Sequence, residues 1–98
     1  MKLFIDDVRD PPDSSWVIVR NGSAALECLL TGTVTEVSFD NDLGLDSLEG
    51  WQIANWLEEK CFYGTLPIPE RMVVHSANPA GKHSIEATIK AIIERGEN

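Results

Sequence analysis

The chain predicts a single α/β domain in which a parallel sheet of four strands is flanked by helices. Three observations carry that prediction. Four short apolar runs contain Val or Ile and lack strict alternation, as strands buried on both faces do. Helical patterns separate the later runs, and alternating strands and helices imply a parallel sheet covered on both faces. Polar side chains gather just after three of the runs, at the sheet edge where open parallel sheets bind ligands.

The first strand is KLFID, which stops at the adjacent carboxylates Asp6 and Asp7. The connection that follows, DVRDPPDSS, holds Pro11, Pro12 and three aspartates and cannot build an ordinary helix. The first crossover is therefore a loop, or one helical turn at most, and it carries Arg9 over the carboxyl edge. Trp16 to Arg20 is the second strand, and Asn21 and Gly22 turn the chain into a helix from Ser23 to Leu30. Ala25, Cys28 and Leu29 recur there at helical spacing, and Gly32 is a natural stop. The third strand, Thr35 to Asp40, runs into DNDLG. A helix from Trp51 to Cys61 puts Ile53, Leu57 and Cys61 on one stripe, with Trp56 beside it and Gly64 and Pro67 closing the region. The fourth strand, Arg71 to Ser76, runs into HSANP, where Asn78 before Pro79 fits a helix N-cap with proline at the first helical position. The last helix, about Lys82 to Arg95, sets Ile85, Ile89, Ile92 and Ile93 on one face.

Length and composition bound the function. The 98 residues suit one domain, residues 1–98, with a small core, and 43% apolar residues is too many for a disordered chain. Sixteen acidic residues against eight basic ones leave a net charge of −8, which repels long polyanions. Duplex DNA and long RNA are thus not expected as partners, whereas a small anion held through a metal ion fits. Cys28 and Cys61 lie far apart without metal-ligand spacing and read as reduced packing residues of a cytosolic protein. No signal peptide and no apolar run of membrane-spanning length is present, so a cytoplasmic location is expected.

The strand ends carry the chemistry. Asp6, Asp7 and Asp40 make a hard-oxygen cluster suited to Mg²⁺ or Mn²⁺. Adjacent carboxylates repel each other, and a divalent ion relieves that repulsion while polarising a phosphoryl oxygen or activating water. His75 is a candidate acid or base, Arg9 a bidentate phosphate clamp, and Ser76 a donor to phosphate oxygens. Each residue also has an ordinary reading. The Asp6–Asp7 pair could be solvated punctuation, Asp40 and Asp42 could shape a turn before Gly44, and Lys82 and Arg20 read as solvent charges. Three strand ends with such side chains at one edge weigh against coincidence.

The motifs IDD, FDNDLGLDSLEG and VVHSA resemble the receiver domain of two-component signalling, a flavodoxin-like fold. That resemblance implies that Asp6 and Asp7 are the acidic pair, Asp40 the phospho-acceptor, and Ser76 and Ala77 the hydroxyl and alanine at the fourth strand. It also implies that the backbone carbonyl of Asp42 completes the metal site. More closely, LFIDDVRDPP, SFDNDLG, LEGWQIANWL and HSANPAG resemble the cyclic-phosphate processing receiver-like domains, nearly end to end. The proposed role of that family is metal-dependent processing of cyclic phosphates at nucleotide or nucleic-acid ends. Two departures stand out. The usual fifth strand and its lysine are missing and the first helix is degenerate, which argues against phosphorelay signalling. In the family the residue between the two aspartates of DNDLG is commonly histidine, where this chain has Asn41, a side chain that does not titrate near neutral pH.

Three functions follow as expectations. The first is a metal-dependent phosphoesterase acting on cyclic phosphates or cyclic nucleotides, with Asp40 and His75 catalytic and Arg9, Ser76 and Asn78 holding substrate. The second is a binding module that sequesters a nucleotide-derived signal, as a phage or mobile-element counter-defence protein would. The third is a degenerate receiver acting through protein contacts, with Trp51, Trp56, Phe62 and Tyr63 available for a homodimer face, although core packing is the expected job of most of them.

Overall fold

The structure, a computed structural model, describes residues 1–45 and 47–96. Its elements are β1 (Lys2–Ile5), β2 (Trp16–Val19), α1 (Gly22–Leu30), β3 (Glu36–Phe39), α2 (Gly50–Phe62), β4 (Arg71–Val74) and α3 (Pro79–Gly96). All strand pairs are parallel, in the order β2-β1-β3-β4. The register sets Ile5 level with Val19 and Phe39, and Phe39 level with Val74. Asp6, Arg20, Asp40 and His75 therefore leave the sheet together at its carboxyl edge.

Alternation along the strands sorts side chains between the two faces. Leu3, Ile5, Val19, Val37 and Phe39 share one core with Leu29 of α1, Ile53 and Leu57 of α2, and Ile85, Ile89 and Ile92 of α3. The sequence pattern predicts helices on both faces of the sheet; the structure places the apolar stripes of all three on one. The cause is the first crossover. Residues 6–15 form only bends and turns, as their prolines and aspartates dictate, and no helix arises there. The opposite face carries Phe4, Ser38 and His75, which shelter one another. Phe4 stacks on the His75 ring with centroids 4.4 Å apart and meets Trp16 edge-on. Lys2 on the same face donates to Ser15 of the crossover loop.

Asn78 caps α3 by accepting from the Gly81 N–H, so the helix starts at Pro79, three residues before the periodicity alone predicts. Two helix starts then press against the segment after β3. A Cβ on Gly50 would stand 2.0 Å from the Asp40 carbonyl oxygen, and one on Gly81 would stand 2.3 Å from Asn41 Cγ. Only glycine lets α2 and α3 come this close to the carboxyl edge.

The aromatic residues divide. Trp56 packs against the core, whereas Trp51, Phe62 and Tyr63 are exposed, so core packing does not account for these three. Cys28 and Cys61 are free and half-buried, as packing thiols should be. Among the described residues no helix is long and apolar enough to cross a membrane.

Candidate active site at the carboxyl edge

The chain turns sharply after Ile5, and the Asp6 side chain makes that turn. Its Oδ1 accepts the backbone N–H groups of Val8 and Arg9 at 2.9 and 2.8 Å, an Asx-type turn that fixes the loop onto β1. Its Oδ2 meets His75 Nε2 at 2.9 Å. Asp6 is fully buried. Burial penalises its charge, but the Arg9 and Val8 N–H groups and His75 outweigh that penalty and hold the carboxyl below its ordinary value of 3.8. Asp6 is thus an anion, and Nε2 of His75 carries the proton directed at it.

Asp40 has the opposite balance. Burial first, and the neighbouring Asp6 charge second, raise its pKa above 3.8, against the Asn41 N–H, His75 and the Ser76 hydroxyl. Its Oδ1 accepts from the Asn41 N–H at 2.8 Å. Ligand atoms of Asp6, Asp40 and His75 lie within 4.8 Å of one another. Two buried carboxylates in mutual repulsion, with hard oxygen donors, fit Mg²⁺ or Mn²⁺.

His75 is more restrained than its sequence position suggests. Nδ1 pairs with Ser38 Oγ at 2.7 Å while Nε2 serves Asp6, so neither ring nitrogen offers a lone pair to a ligand in this arrangement. Arg9 returns across the edge and donates to the His75 carbonyl at 3.1 Å. Ser76 is buried beside Asp40, and its hydroxyl accepts the Asn78 N–H. Asp7 faces the loop between β3 and α2: a Cβ on Gly44, where φ is +89°, would lie 3.7 Å from Asp7 Oδ2. Asp42 accepts from both Asn78 Nδ2 and Asn41 Nδ2. The structure therefore gathers Asp6, Asp40, His75 and Ser76 with Arg9 above them. The Asp42–Asn78 pair stands as a separate bridge between the β3 and β4 loops.

Two residues escape the sequence reading, and the structural part of a third, Asn41, is not foreseen there. Arg20, which reads there as a solvent charge, donates to the Asp6 and Arg9 carbonyls and pairs with Asp10 at 2.8 Å, stapling the loop that positions Asp6. Ser38 anchors His75, and its only sequence signal is a hydroxyl inside an apolar strand. Asn41 is 3% exposed and its amide oxygen accepts the Trp51 N–H, so it joins β3 to the start of α2. That amide is a structural link and leaves no group for acid–base work.

The two shifts give stability a particular pH dependence. Folded Asp40 holds its proton more tightly than the unfolded chain does, so acidification from neutrality through its raised pKa stabilises the fold. Asp6 contributes stability fully above 3.8, and that contribution disappears as pH falls through its lowered value. Thermal melts across this range should show a rise and then a fall for the wild type. In Asp40→Asn the rise should vanish and the fall remain.

No curated protein and no solved structure matches the chain. The family model of the cyclic-phosphate processing receiver domain matches residues 1–91, nearly the whole of this parallel-sheet domain and its carboxyl edge, and the chain belongs to that family.

Proposed function

We propose that the carboxyl edge is a divalent-cation-dependent phosphoesterase site that opens cyclic phosphodiesters of nucleotides. The observation that carries this reading is the buried Asp6–Asp40 pair, in which one carboxylate is held as an anion and the other is strained by its neighbour. A bound Mg²⁺ or Mn²⁺ would neutralise that pair and the charge developing on the phosphoryl oxygens. Asp6 and Asp40 would hold it, with Asp7 and the Asp42 carbonyl on the adjoining loops.

The protein groups have separable tasks. Asp6, fixed by two backbone N–H groups and His75, is a rigid donor and costs little to organise. Asp40 is the candidate nucleophile, because His75 has no free nitrogen with which to deprotonate water as it stands. Arg9 uses Nη1 on the His75 carbonyl and keeps its remaining donors for a phosphate oxygen. Ser76 offers its hydroxyl beside Asp40. The net reaction adds water across one P–O bond of the ring and yields a phosphate monoester and a free hydroxyl.

A panel of 2′,3′-cyclic and 3′,5′-cyclic nucleotides, incubated with Mg²⁺ or Mn²⁺, tests this reading. Turnover of at least one member that EDTA abolishes is the expected result. Folded protein that turns over none of them contradicts it. The engaged nitrogens of His75 and the structural amide of Asn41 favour a second reading, sequestration without cleavage. Calorimetric binding of a cyclic nucleotide that is recovered intact would establish that alternative.

A further inference from the structure

A groove of about 640 Å³ runs between the open edge of β4 and α3, on the far side of the sheet from β2. Among the described residues, the outer backbone groups of its β4 wall have no strand partner. The N–H groups of Arg71 and His75 bond to β3, so by strand alternation those of Met72 and Val74 point outward into the groove. Its α3 wall has an apolar centre at Ile89 and Ile93, and Ile93 is 44% exposed.

The charges along that wall are ordered. Lys82, Glu86, Lys90 and Glu94 follow one another at four-residue spacing, alternate in sign and line the same groove. Residues four apart share a helix face, so this is one stripe of alternating charge. Such a stripe is complementary to itself when a second copy runs antiparallel. With the two-fold axis level with Thr88, Lys82 faces Glu94 of the other copy and Glu86 faces Lys90, each pairing occurring twice. Ile89 of both copies then lies near the axis. The stripe is locally neutral on a chain whose net charge is −8, so this face brings two copies together with little of the repulsion found elsewhere. Within the chain Lys90 and Glu94 stand 3.9 Å apart, both well exposed, a weak pairing that a facing helix can redirect.

We propose that the α3 stripe is a homodimer face, on which a second copy of this chain packs its own α3 antiparallel along the groove. An isologous contact of this kind repeats each pairing by symmetry, so one substitution acts twice. The active edge lies at the strand ends, and the dimer leaves it open.

Sedimentation of the full chain from about 10 μM to about 1 mM tests the proposal. The wild type should move from monomer to dimer mass within that range. Glu86→Lys and Lys90→Glu each set like charges against each other across the axis and should weaken the dimer about tenfold or more. Combining both substitutions in one chain should restore dimerisation to near the wild-type level. An equimolar mixture of the two single variants should form a heterodimer, because the lysine introduced in one chain then faces the glutamate introduced in the other. The heterodimer separates the proposal from a folding defect, because two misfolded variants could not form it. A wild type that stays monomeric throughout, or a dimer indifferent to both reversals, overturns the proposal.

Discussion

Asp40→Asn should raise the melting temperature and abolish turnover in the same protein. The buried Asp40 carboxylate is opposed by burial and by Asp6, so its charge is a liability to the empty fold. Asparagine keeps the size of the side chain and an oxygen to accept the Asn41 N–H, while removing that charge. A gain of about 1 kcal/mol is expected, which moves the midpoint of a domain this small upward by about 4–8 °C. The same change removes the candidate nucleophile and one anionic cation donor, and activity should fall at least about a thousandfold. Calorimetric melting and the cyclic-nucleotide assay measure the two effects. A melting temperature that drops would show that Asp40 is a structural carboxylate and not a strained functional one.

Gly50→Ala should be the most destabilising single-methyl change in the chain. In most helices alanine in place of glycine gains up to about 1 kcal/mol. Here the added Cβ would stand 2.0 Å from the Asp40 carbonyl oxygen and 2.9 Å from Asn41 Cα, which are backbone atoms that cannot swing aside. The start of α2 must retreat, and with it go the Gly50 N–H bond to the Asn41 carbonyl and the Trp51 N–H bond to its amide. A loss of about 2–4 kcal/mol is expected from overpacking and broken hydrogen bonds. Chemical denaturation reads it directly. Unchanged stability would mean that α2 does not press against the site.

Much of the fold is legible in the residues. The four strands follow from β-branched runs that stop at charge, the looped first crossover from Pro11 and Pro12, and the capped start of α3 from Asn78 and Pro79. The one-sided helix layer is not legible in the same way, because Leu3, Phe4 and Ile5 read as equally apolar. Only the fold shows that Leu3 and Ile5 face helices while Phe4 faces His75 and Trp16. The site divides similarly. Asp6 and Asp40 declare themselves by residue type at strand ends, and the structure brings them together. The restraint on His75 depends on Ser38, thirty-seven residues away in the chain. Arg20 hides its role because an arginine after a strand reads as a solvent charge until its carbonyl partners are known.

The proposed chemistry depends on one property of the carboxyl edge, that Asp6 and Asp40 together hold a cation. Titration of Mn²⁺ into wild-type protein and Asp40→Asn, followed by electron paramagnetic resonance of the free ion, tests it most directly and needs no turnover. One saturable Mn²⁺ site is expected in the wild type, weakening as pH falls through the raised pKa of Asp40, and its loss is expected in Asp40→Asn. Equal Mn²⁺ binding by the two proteins, or no saturable binding by the wild type, would contradict it.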